Sequence, residues 1–134
     1  MTHFLDGLAA FVGYFGGAVA LVVIHLAIYV RLTPHREFAL MVREHNAAAA
    51  VALGGTLLGF VVPLSRALAQ SVSIVEFAAW GVVALIVQFA AYWAARASHP
   101  GLSEAIESNA LSAAIWLAAV SLAAGLLSAA AMSG

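Results

Sequence analysis

The chain has 134 residues, 65% of them hydrophobic and only 8% charged, and its mean hydropathy is +1.06. That balance excludes an ordinary water-soluble domain, and a formal net charge of −1 without a single Lys leaves no basic surface for nucleic acid. There is no Cys, hence no disulfide framework, thiolate metal site or thiol nucleophile, and no statement about redox compartment follows.

The few charges cluster and leave four apolar stretches of about 20 residues, the length a helix needs to cross about 30 Å of hydrocarbon. They lie near 8–30, 46–64, 74–95 and 109–131. Runs such as Ala47 to Ala50 and Ala129 to Ala131 argue against the alternating pattern of a β-barrel. The expected fold is an all-α membrane protein, residues 1–134 forming one integral membrane domain embedded in the lipid bilayer.

The first span is preceded by MTHFLDGLAA, which lacks a basic n-region, so it is expected to be retained as a span, with Asp6 capping its start. Ala9, Gly13 and Gly17 form a small-residue stripe on it. His25 and Tyr29 are one turn apart on one face, expected to point at protein. The connection 33–45 reads as a short surface helix: Thr33 as cap, Pro34 at the first position, and Phe38, Met41 and Val42 on an apolar side.

Glu44 and Asn46 stand at the start of the second span, where a carboxylate suits the helix dipole and Asn is a good N-cap. Ala48, Ala52, Gly55 and Gly59 make a second small stripe, and Thr56 among them is expected to bond to its own backbone. Glu76 near the start of the third span is either a cap in reach of Arg66 or an intramembrane acid coupled to passage. Gln88 and Tyr92 repeat the His25 and Tyr29 spacing. For His25 and Gln88 two readings stand, interhelical hydrogen bonding and a polar site for passage. Tyr92 and Trp93 beside Arg96 suit an interfacial belt, whereas Trp80 and Trp116 suit deeper packing. Glu107 and Asn109 echo Glu44 and Asn46 as a helix start, binding by either Glu-x-Asn pair being the sharper alternative. Ala114, Ala118, Ser121, Gly125 and Ser128 make a third small stripe. So much small surface predicts a homo-oligomer.

A shift of about 63 residues lines up Ala27 with Ala90, Tyr29 with Tyr92, Glu44 with Glu107, Asn46 with Asn109 and Ala50 with Ala113. Two tandem hairpin repeats follow, about 8–64 and 74–131, each of two spans and so of parallel topology, related by a pseudo-twofold axis along the membrane normal. Arg31, Arg36, Arg43 and Arg96 fall on one side and Arg66 on the other, which puts the first and third connections in the cytoplasm and both termini outside, in the periplasm.

The stretches TPH at 33–35, EHNAAAA at 44–50, GGTLLGFVVPLS at 54–65, VEFAAWG at 75–81 and LIVQ at 85–88 resemble the small bacterial inner-membrane proteins of domain-of-unknown-function family 350, also called the YjfL-like family. The resemblance covers essentially the whole chain. It implies a four-helix protein of paired repeats, and by gene company a cytoplasmic stress-response or ATP-grasp ligase partner. His25, where the family suggests an apolar residue, and SNALSAA in the second copy depart from the pattern.

No nucleophile–base pair, metal-spaced cluster or phosphate-binding Gly loop is present, so neither an enzyme nor a metal or cofactor is expected. Two functions remain. Permeation of ions or small polar solutes would use His25, Gln88, Glu76 and Thr56. A membrane scaffold would hold a soluble partner on the loops around Arg36, Glu37, Arg43 and His99. So little soluble mass favours permeation.

Overall fold

A computed structural model describes residues 2–32 and 41–132, and every regular element among them is helical. α1 spans Thr2–Leu32, α2 Ala47–Gln70, α3 Ile74–Ser98, α4 Leu102–Glu107 and α5 Leu111–Ala131. All but the short α4 are long and apolar enough to cross a membrane. At 1.5 Å per residue these four run about 46, 36, 37 and 31 Å. The basal end of the bundle carries the α1–α2 and α3–α5 connections, and the apical end carries the α2–α3 turn.

Several boundaries differ from the sequence expectation. α1 is already helical at Thr2, so Asp6 lies inside it and is not its cap. α2 continues through Pro63 to Gln70, leaving Arg66 on the helix and only Ser71–Ser73 as a turn. The α3–α5 connection contains α4, which was not anticipated; it is a single amphipathic turn and a half that buries Leu102 and Ile106 four residues apart. Of the expected surface helix, residues 33–40, with Thr33, Pro34, Arg36, Glu37 and Phe38, lie outside the described residues.

α2 and α5 form the closest pair. The stripe Ala48, Ala52, Gly55, Gly59 faces the stripe Ala114, Ala118, Ser121, Gly125, with Gly55 against Ala118 and Gly125 against the Gly59 carbonyl so closely that no Cβ fits at either glycine. Lipid tails are as apolar as Leu, so it is this close backbone approach, and not hydrophobic burial, that holds such a pair together. Two of the three predicted stripes are thus consumed within the chain. On α1, Ala9 and Gly13 are exposed, and Gly17 lies against the Phe77 ring.

α3 packs on both α2 and α5, and α1 packs on α2 and α3. The buried side chains divide into a basal cluster around Tyr29, Leu53, Tyr92, Ile106 and Leu117, and an apical one around Phe60, Leu64 and Phe77. Tyr92 therefore belongs to the core and not to an interfacial belt. Trp93 does sit at the surface, 5.2 Å from the Arg96 guanidinium, a cation–π contact. Trp116 is exposed, not deep, and its indole N–H donates to Ser98 Oγ at 2.9 Å.

The helix starts are tied across the two halves. Asn46 is the N-cap of α2: its Oδ1 accepts from Ala49 N at 2.9 Å, and its Nδ2 donates to the carbonyls of Ile106 (3.0 Å) and Glu107 (3.1 Å). Asn109, in contrast to the expectation, does not cap its own helix. The N-cap of α5 is Ala110, without a side-chain bond, and Asn109 turns left-handed (φ 66), which Asn tolerates, so that its Oδ1 accepts from Ala48 N of α2 at 2.9 Å. Glu44 and Glu107 are exposed beside this knot. Asn46→Ala removes a cap and a cross-tie together and is expected to cost about 1–2 kcal/mol in a detergent-titrated unfolding experiment, more than Asn109→Ala.

Candidate functional site

Among the described residues of α1 only His25 and Tyr29 are buried, so the helix docks through the pair that spacing placed on one face. His25 is 1% exposed, and its ring stacks on Phe60 of α2 (centroids 4.7 Å, 6° between planes) and lies 5.8 Å from Phe89 of α3. The Thr56 backbone is nearby, yet neither ring nitrogen meets a partner in hydrogen-bonding geometry. One turn along α1, Tyr29 meets Tyr92 edge to face at 5.8 Å.

Gln88, equally buried, is held differently. Its Nε2 donates to the carbonyls of Gly59 on α2 (2.9 Å) and Ser121 on α5 (3.1 Å). The Gly59 carbonyl is the one whose helical donor would be residue 63, and Pro63 has no N–H to give. A side chain from α3 thus supplies the bond that the proline removes, in a medium without water to do it. Gln88 Oε1 and Ser121 Oγ remain unpartnered. Thr56 Oγ1 bonds to the Leu53 carbonyl at 3.0 Å, the local bond expected of it.

His25, Thr56, Gln88 and Ser121 lie about 10–15 Å from the basal helix ends, one band inside the spans. Glu76 is not part of it. It lies in the first turn of α3 at the apical end, where its backbone N–H donates to Ser73 Oγ (3.1 Å) and its Oε2 accepts from Val72 N (3.3 Å), a reciprocal cap. The Glu44–Asn46 and Glu107–Asn109 pairs form the basal knot. Gly13, Gly17, Gly55, Gly59 and Gly125 contribute backbone and no chemistry. Among the described residues no group of three or more His, Asp or Glu comes together as a metal site.

Sequence reasoning missed the link between Pro63 and Gln88. The signal was present as a proline inside an apolar stretch, but which side chain would answer it depends on how α3 leans on α2.

The helices and their buried polar band define a small polytopic α-helical membrane protein. The family model described as "Domain of Unknown Function (DUF350)" matches residues 3–132, and the chain belongs to that family. It is similar to the UPF0719 inner membrane protein YjfL of Escherichia coli strain K12, and to the protein of the same name from Escherichia coli O157:H7, each 43% identical over 131 residues that cover 98% of both chains. With four candidate spans, this is an inner membrane protein. No solved structure matches the chain.

Proposed function

We propose that the chain is a permeation protein for ions or small polar solutes, built from two tandem hairpins, with its site at the polar band between them. The observation that carries this reading is His25. A fully buried imidazole with two unpartnered nitrogens inside a span is costly, and polar groups retained inside membrane bundles mark pathways. Gln88 has a structural reason to be where it is; His25 has only ring stacking and the nearby Thr56 backbone.

Contacts between residues 63 apart support the duplication. Tyr14 touches Phe77, Tyr29 touches Tyr92 and Gly55 touches Ala118, as a twofold axis requires of residues lying on it. Two apolar grooves of about 230 and 400 Å³ also correspond, Val61, Leu64, Ser65 and Leu68 of α2 standing where α5 has Ala124, Leu127, Ser128 and Ala131. The Arg distribution supports an orientation with both termini outside, and a homo-oligomer would use the exposed Ala9 and Gly13 face of α1. A scaffold role would rest on Arg43, exposed, and His99, half-buried, at the basal end, and on Arg36 and Glu37, outside the described residues.

Purified protein in liposomes is expected to pass at least one of protons, monovalent cations or polyamines faster than empty vesicles, and His25→Phe to change that flux. No flux above empty vesicles for any of the three removes the proposal.

A further inference from the structure

We propose that the species handled at this site is the proton, and that His25 is the group that binds and releases it. The inference rests on the permeation reading and narrows it to one substrate. The elements packed around the imidazole decide the chemistry. From α1 comes Tyr29, from α2 Thr56 and Phe60, and from α3 Phe89, with Gln88 and Tyr92 in the same core.

Among the described residues no carboxylate, Arg or second His stands at this depth: on the spans, His3, Asp6, Arg31, Arg66, Glu76 and Arg96 all lie within about a turn of a helix end. A metal ion needs three or more ligands and finds one. An anion needs a positive charge or several converging donors, and here the Gln88 amide hydrogens are directed at Gly59 and Ser121, which leaves only neutral hydroxyls. A bare metal or organic cation would have no counter-charge. A proton needs only a lone pair, which the neutral imidazole has, and the resulting imidazolium sits on the faces of Phe60 and Phe89, where ring quadrupoles stabilise a cation.

On the basal side stand Tyr29 and Tyr92, whose rings meet edge to face and whose hydroxyls can both donate and accept, that of Tyr92 being unpartnered. In the apical direction the packing is apolar, through Phe60, Leu64 and Phe77. His25 would accordingly exchange its proton with the basal side. The step is balanced: a proton adds to one ring nitrogen from that side and leaves to the other once the apical packing parts, with no change in redox state.

The test uses the full chain in liposomes carrying an internal pH dye, with a potassium diffusion potential as driving force. Wild type is expected to acidify or alkalinise the lumen with the sign of the potential. His25→Gln, which copies the residue at the repeat-related position, is expected to reduce this to the rate of empty vesicles, while Gly54→Ala, outside the site and with open space for the added methyl, leaves it unchanged. Proton flux that survives in His25→Gln overturns the proposal, as does a wild type that passes potassium or polyamines but not protons; in both cases permeation itself still stands. Absence of all flux removes both. Independently of transport, nitrogen NMR of histidine-labelled protein in lipid is expected to show the His25 ring changing protonation as bulk pH is lowered from about 8 to about 4. A ring that stays one neutral tautomer throughout overturns the proposal.

Discussion

Gly125→Val is expected to abolish folding, with a loss of about 4 kcal/mol or more, because an added Cβ meets the Gly59 carbonyl and the clash is with backbone, which has no rotamer to change. Separating α5 from α2 would also draw the Ser121 carbonyl away from the Gln88 amide, which could then no longer tie α5 to α2. Gly55→Val, facing Ala118, is expected to do the same. The control is Gly54→Ala on the same helix: a Cβ there has nothing within 4 Å, so it is expected to be neutral or slightly stabilising through helix propensity. The measurement is retention of monodisperse, helical protein in detergent. A folded Gly125→Val with unaltered melting would mean that α2 and α5 do not cross as described.

Gln88→Leu is expected to cost about 1–2 kcal/mol, the range for an interhelical bond in membranes plus the penalty for a carbonyl left unpaired there. The informative variant is the double one. Pro63→Ala restores an N–H to position 63, so α2 can satisfy Gly59 by itself, and Pro63→Ala with Gln88→Leu is expected to recover most of the loss. Pro63→Ala alone should be nearly neutral. A double-mutant cycle in detergent-titrated unfolding reads the coupling directly. Additive effects would show that Gln88 is needed for Ser121 or for space filling, and not to replace the bond that Pro63 lacks. His25→Gln is expected to keep the fold but to lose some stability, because the stacking on Phe60 and Phe89 goes and a buried amide arrives, although no hydrogen bond is lost. Its phenotype belongs to transport, whereas that of Gln88 belongs to stability.

Hydropathy and the length of the apolar runs determined four spans, because a bilayer tolerates few other solutions for a chain so poor in charge. The spacing of His25 with Tyr29 and of Gln88 with Tyr92 placed these residues on inward faces, since helical periodicity is local geometry. What the residues do there was not legible. Partners come from other helices, and their choice depends on crossing angle and depth. Asn109 looked like a cap for its own helix and serves another; Tyr92 looked interfacial and is buried; two small-residue stripes that suggested oligomer contacts meet each other. The polar pair read as equivalent from the 63-residue shift came apart in the same way. Pro63 sits in the first copy only, with Leu126 at the related position, so Gln88 has a freed carbonyl to answer and His25 does not. The sequence alone determined that the chain spans the membrane and which faces turn inward. Only the packing of α3 against α2 and α5 decided that one of two matched polar residues is tied into the fold and the other is left with free nitrogens.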